Sequence, residues 1–173
     1  MIASEGEASD AVVGPESFRT VLSHMPTGVA VITAVGSDGA LLGVACNSFS
    51  SVSLEPPLVG FCPARSSETW PRIREVSRFC VNVMAQHHHD TCVAFARRGV
   101  DRFSGVPYHR RAGGPALDDA VAWLDCRIAD EHDAGDHTIV VANVEALAVG
   151  HDSDVLPLVF YRGRYGTFTS HAD

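Results

Sequence analysis

Two stretches of this chain group side chains that could hold a small anionic ligand. The first runs from Gly43 to Leu58 and contains Asn47, Ser48, Ser50, Ser51 and Ser53 among small residues, closing at Pro56-Pro57. Hydroxyl and amide donors beside an unencumbered backbone suit a planar heterocycle on whose edge negative charge develops during reduction. The same composition suits a polar barrel corner whose side chains satisfy nearby backbone groups. The second stretch is Pro63-Ala64-Arg65-Ser66-Ser67-Glu68-Thr69-Trp70. An arginine, three hydroxyls and a helix start make either a phosphate seat or an ordinary helix cap. Arg97, Arg98 and Arg102 follow, adding charge nearby or forming a solvated face.

Other chemistries lack a footing. No GxGxxG follows a strand, and neither GxxxxGK[ST] nor GxSxG occurs. His87-His88-His89 has no HExxH or Cys/His spacing beside it, and adjacent side chains diverge, so it reads as a loop or helix start rather than a metal site. The net charge of -8, from 13 basic and 21 acidic residues, argues against nucleic acid as a partner. Lysine is absent, so every basic contact falls to arginine or histidine. Five cysteines, at 46, 62, 80, 92 and 126, form no CxxC pair and are expected as reduced thiols of a cytoplasmic protein. No apolar run reaches membrane-spanning length, and no basic start precedes an apolar segment.

The elements that must position these residues follow from periodicity. Phe18, Val21, Leu22 and Met25 share one face of a short helix between Pro15 and Pro26. Val29 to Val35 reads as a mostly buried strand, Ser37-Asp38-Gly39 as a tight turn, and Leu41 to Asn47 as the returning strand. Further strands are expected over Leu58 to Cys62, Arg78 to Met84, Val121 to Glu131, Thr138 to Val149 and Leu158 to Arg162. Helices are expected from a Ser66 or Ser67 cap to about Val76, with Pro71 in the first turn, and over His89 to Arg98. Hairpin connections of this kind point to a mainly β, antiparallel barrel with a few short helices. A single domain over residues 14–169 is expected, with a flexible tail at 1–13 and another at 170–173.

In chain order, the following segments resemble the short-chain flavin reductases of two-component flavin monooxygenases: Pro26-Thr27-Gly28-Val29 to Thr33, Asn47 to Leu58, Arg65 to Trp70, Arg78 to Val83, Asp101-Arg102-Phe103 and Gly135-Asp136-His137. The resemblance spans residues 15 to 168. It implies a split β-barrel homodimer that binds FMN or FAD near the subunit interface. NADH, or NADPH, would reduce the flavin, which then leaves for a separate monooxygenase. By position, Asn47, Ser48, Phe49, Ser50, Ser51 and Val52 would line the flavin ring, with Thr27 and Val29 at the neighbouring strand entrance. Cys62, Ala64, Arg65, Ser66, Ser67 and Thr69 would hold the ribityl chain and phosphate, and Phe95, Arg98, Arg102 and Phe103 would border the phosphate or adenine end. His137, with Tyr161, would sit by the nicotinamide as the catalytic side chain. Arg102 stands where such proteins often carry lysine, which keeps the charge and changes the geometry; Cys46 takes a packing role. The rival readings are a flavin barrel that carries electrons or acts as an oxidase, and a barrel that holds no flavin.

Overall fold

The computed structural model describes residues 13–150 and 154–170, so the two expected tails fall outside it except for Val13 and Ser170. A seven-stranded antiparallel sheet dominates, ordered β3-β2-β6-β9-β10-β5-β4. Its strands are β2 (Ala30–Val35), β3 (Leu41–Cys46), β4 (Ser50–Leu54), β5 (Pro57–Phe61), β6 (Arg78–Val83), β9 (Ala122–Ala134) and β10 (His137–Val149). Beside it lie a three-stranded sheet of β1 (Thr27–Gly28), β11 (Leu158–Tyr161) and β12 (Arg164–Thr167), and a ribbon of β7 (Tyr108–Arg110) with β8 (Pro115–Leu117). The helices are α1 (Pro15–Leu22), α2 (Trp70–Val76) and α3 (His89–Ala96).

The order of the large sheet dictates its shape. Strands β3 and β4 stand at opposite edges, yet only Asn47, Ser48 and Phe49 separate them in the chain. Three residues reach about 10 Å at full extension, far less than the width of seven strands spaced about 4.8 Å apart. The sheet therefore curls until its edges nearly meet, leaving a barrel split along one seam.

Two apolar clusters fill and flank this barrel. Inside, Ile32, Leu42, Phe79, Val81 and Val140 pack with Trp70 and Ile73 of α2, and Phe61 meets Trp70 edge-on at 5.2 Å. On the other face, Val29, Val31, Met84, Leu117 and Leu158 pack against Cys92 and Phe95 of α3. Strand β2 sends Ala30, Ile32 and Ala34 into the first cluster and Val31 into the second, which explains why its sequence is apolar except for the buried, hydrogen-bonded Thr33. Pro71 occupies the first turn of α2, where its missing N–H costs no helical bond. The α2 helix begins at Trp70, later than a cap at Ser66 or Ser67 would place it, because residues 65–69 form a turn and bend instead.

The structure adds three features that the sequence did not show. The Ser50–Leu54 stretch is edge strand β4, paired with β5 and bulged between Ser51 and Ser53. Its polar, exposed composition is what an edge strand tolerates. The apolar face of α1 is presented outward, with Phe18, Val21 and Leu22 all exposed and no residue of the helix buried. Strands β1, β7, β8 and β12 carry too little periodicity to show in sequence. The β7–β8 ribbon is anchored instead by buried polar contacts: Asn82 accepts from the Leu117 amide at 2.7 Å, and Asp125 from the Gly113 amide at 2.9 Å.

Candidate functional site

The seam of the barrel opens into a cleft of about 270 Å³. On one wall lie Cys46, Asn47 and Ser48, where β3 turns towards β4; on the other lie Phe61, Cys62, Pro63 and Ala64, where β5 ends. Ser48 ties the walls together, since its Oγ accepts from the Cys62 amide at 2.9 Å and lies 3.2 Å from Cys46 Sγ. Burial pushes the Cys46 thiol above its ordinary range, which suits the packing role expected of it.

The far end of the cleft is cationic. Ser66, Ser67, Thr69, Phe95, Arg98 and Arg102 line it. Ser67 Oγ accepts from the Trp70 amide at 3.1 Å, ordering the approach to α2. Arg98 Nη2 donates to the Ser66 carbonyl at 2.9 Å. Arg102 donates from Nη1 to the Gly43 carbonyl at 2.7 Å and to Thr69 Oγ1 at 2.6 Å, and from Nε to the Arg97 carbonyl at 2.9 Å. All of these acceptors are neutral. Arg65, Arg72, Arg74, Arg78, Arg111 and Arg127 are paired with carboxylates. Among the described residues, Arg98 and Arg102 are not, and of the arginines without such a partner these are the two that line this cleft. Two oriented guanidiniums whose charge the protein leaves uncompensated form an anion seat, and planar donors of this kind match phosphate.

His137 closes the cleft from the β10 side. Ala64 forms a bridge with His137, the Arg65 amide donates to the Asp136 carbonyl at 2.9 Å, and the Thr138 amide donates to the Pro63 carbonyl at 3.0 Å. These contacts stitch the start of β10 to the end of β5. His137 Nδ1 lies 2.7 Å from Asp136 Oδ1. The hydrogen bond and charge of His137 hold the Asp136 carboxyl below its ordinary 3.8, so it is an ionised acceptor. Nδ1 therefore carries the proton, leaving Nε2 for a ligand.

Eleven of the residues anticipated from sequence thus meet at one cleft: Asn47, Ser48, Cys62, Ala64, Ser66, Ser67, Thr69, Phe95, Arg98, Arg102 and His137. The others lie apart from its lining. Ser50, Ser51 and Val52 belong to exposed β4, and Phe49 packs on the inner core. Arg65 turns outward to an ion pair with Asp133. Phe103 packs edge-on against Phe95 at 5.0 Å, behind the cleft. Thr27 pairs with Phe160 across β1 and β11, and Val29 lines a neighbouring cavity with Phe160 and Tyr165. Tyr161 belongs to the β11–β12 hairpin and meets His24 edge-on at 6.4 Å. Sequence reasoning missed Val44, Ala45, Phe61, Pro63 and Ala96 as lining residues, because small and apolar side chains carry no local sign of facing a ligand; it also missed Glu68, the acidic residue of the cleft lining. It also missed Gly43, whose absent Cβ lets Phe95 approach.

An antiparallel barrel split at one seam, with donors along the seam and arginines without carboxylate partners at its end, defines a split-barrel protein whose cleft can take an anionic ligand. Comparison with known proteins narrows this. Residues 22–169 match the flavin reductase like domain. The chain is 45% identical over 159 residues to a flavin reductase of Pseudomonas putida, covering 91% of this chain and 92% of that one. It is 39% identical over 165 residues to the reductase subunit HsaB of a flavin-dependent monooxygenase of Rhodococcus jostii, covering 95% and 83%. Among solved structures, the NADH:FAD oxidoreductase SgcE6 of Streptomyces globisporus, in complex with NAD and FAD fragments, superposes with a TM-score of 0.85 at 33% identity, covering 94% of this chain and 99% of that one. The chain belongs to the flavin reductase-like family.

Proposed function

We propose that the seam cleft is the flavin seat of an NAD(P)H:flavin oxidoreductase that supplies reduced flavin to a separate monooxygenase. The observation that carries this reading is the pairing of Arg98 and Arg102, free of carboxylate partners, with a donor-bearing seam in the same cleft. A flavin phosphate suits the arginines, and the ring suits the walls at Asn47–Ser48 and Cys62–Ala64. A flavin held by these residues would supply the chemistry, as the acceptor of a hydride from the nicotinamide.

The chain's own part is alignment. Ser48 holds the two walls at a fixed separation through the Cys62 amide. Asp136 fixes the His137 tautomer, so Nε2 is turned to orient the nicotinamide rather than to exchange a proton. No group in the cleft needs to act as a strong general acid or base. FMN and FAD both fit a seat that grips a phosphate, with NADH as the donor and NADPH an alternative.

Residues 14–169 act as one unit, and two copies associate. Large exposed side chains support this: Leu54, Leu147 and Val149 are 92%, 69% and 73% exposed, and the α1 face adds to them. Among the described residues, no helix is long and apolar enough to cross a membrane. Five free thiols fit the reducing cytoplasm.

The test is a kinetic matrix of NADH and NADPH against excess FMN and FAD. Sustained turnover is expected, whereas consumption of a single equivalent would make the protein an electron carrier. His137→Ala should slow hydride transfer in stopped-flow traces while leaving flavin affinity nearly intact. An unchanged reduction rate would remove His137 from the reaction.

A further inference from the structure

Outside the cleft, a second cavity of about 560 Å³ lies at the β11–β12 hairpin, lined by Tyr161, Arg162, Arg164 and Tyr165 among others. Neither Arg162 nor Arg164 has a carboxylate within ion-pair distance or a side-chain hydrogen bond among the described residues. In a chain with net charge -8, two exposed guanidiniums without carboxylate partners at one tight turn concentrate positive charge locally. Their backbone is unusual as well. Arg162 holds φ 48° and Gly163 φ 75°, a left-handed pair that normally calls for Asn-Gly. An arginine with positive φ is an outlier of the kind that accumulates at ligand-holding positions.

The hairpin is also tied to the His137 side of the cleft. The Arg162 amide donates to the Ser23 carbonyl at 2.9 Å, and Tyr161 meets His24. One helical turn back, the Arg19 carbonyl accepts from the Ser23 amide, and the charge of Arg19 reaches Asp136, the partner of His137. Helix α1 and the turn that follows it thus touch the hairpin at Ser23 and His24, and α1 carries Arg19, whose charge acts on Asp136. Arg98 and Arg102 serve the opposite end of the cleft.

We infer that Arg162 and Arg164, assisted by Arg19, hold the phosphates of the nicotinamide donor while its ring reaches His137. This rests on the flavin reductase reading and names the donor's anchor within it. The aromatic faces of Tyr161 and Tyr165 flank that anchor.

The test compares the unaltered chain with Arg162→Asn/Arg164→Gln. Asparagine suits the left-handed position better than arginine, so the hairpin is expected to persist. KM for NADH should rise about tenfold, which corresponds to about 1.4 kcal/mol, with KM for flavin unchanged. With dihydronicotinamide riboside, which carries no phosphate, the variant and the parent should behave alike. Arg162→Lys/Arg164→Lys should recover part of the NADH affinity. A larger loss with NADPH than with NADH would assign the anchor to the 2′-phosphate, and equal losses would assign it to the diphosphate. In the unaltered chain, inorganic pyrophosphate should compete with NADH at saturating flavin, a readout that survives even if the variant fails to fold. The inference is overturned if KM for NADH stays unchanged, if the riboside suffers the same loss, if pyrophosphate competes with flavin alone, or if light scattering shows that the variant only changes the oligomeric state. Failure of the unaltered chain to oxidise NADH with any flavin would instead sink the reductase reading itself.

Discussion

Gly43 links the buried aromatic layer to the cationic end of the cleft, and Gly43→Ala tests that link. A Cβ built there lies 2.2 Å from Phe95 Cε1 and 2.7 Å from Cδ1, with Phe103 Cε2 at 3.4 Å. Carbon atoms settle at about 3.5–4.0 Å, so the Phe95 ring must retreat by roughly 1 Å. It has little room, being fully buried and edge-on to Phe103 at 5.0 Å. Overpacking of this kind costs about 1–3 kcal/mol, and at this chain length each kcal/mol lowers Tm by about 2–4 °C. A fall of roughly 2–12 °C is expected in a thermal melt. Because the Gly43 carbonyl accepts from Arg102, the same displacement should weaken flavin binding in a fluorescence titration. Phe95→Leu in the same chain makes space for the new methyl, so the double variant should be more stable than the two single losses predict, by about 1 kcal/mol or more. An unchanged melt for Gly43→Ala, or strict additivity with Phe95→Leu, would refute the steric argument.

Arg102→Gln keeps a donor but removes the charge, so the affinity for FMN and FAD should fall about 10- to 100-fold, or roughly 1.4–2.8 kcal/mol. Riboflavin, which lacks phosphate, should be little affected, and an equal loss for all three flavins would contradict the phosphate seat. Asp125 is buried against Arg111, with Nη2 at 2.8 Å, and accepts from the Gly113 amide. Asp125→Ala leaves both without a partner, and urea denaturation should show a loss of about 3–5 kcal/mol; a loss under 1 kcal/mol would argue against it. Burial pushes the thiols of Cys80, Cys92 and Cys126 up to about 12, so at pH 8 they should resist a thiol reagent until the protein is unfolded. Rapid labelling of all five cysteines in the folded state would count against this packing. The Asp136 carboxyl is held below its ordinary 3.8, so its contact with His137 is present above that value and is lost only as pH falls through the lowered pKa. Asp136→Asn should therefore slow flavin reduction to a similar degree across pH 5 to 9, and an effect that appears only at the alkaline end would contradict that assignment.

How much of this was legible in the sequence depended on whether a residue's role was set by its neighbours in the chain or by the fold. Strand β2 and the β9–β10 hairpin declare themselves through apolar runs and the Gly135-Asp136 turn. Pro71 marks the start of α2 for the same local reason. Strand β4 does not, because Ser50 to Leu54 become a strand only by pairing with β5. The α1 face shows in sequence only as amphipathic, since periodicity does not report which surface covers it. Arg65 and Arg98 look equivalent as cations near hydroxyls, yet one is neutralised by Asp133, sixty-eight positions away, and the other is not. Only the fold decides which charge remains for a ligand.

The topology explains why the site lies where it does. A seven-stranded sheet whose two edges are consecutive in the chain must close on itself, but the link of Asn47, Ser48 and Phe49 leaves β3 and β4 unpaired with each other. Each edge strand then keeps a row of backbone groups without a strand partner, a feature that folded proteins ordinarily cover or blunt. Here the seam is bridged by Ser48 at one point and left open beside it as the cleft. A planar ligand with donors and acceptors along its edge is the kind of molecule that can complete such a seam without a further strand. The arginines at one end fix which way it lies. Binding and fold therefore share a cause, and substitutions that loosen the Ser48–Cys62 contact should weaken flavin affinity and barrel stability together.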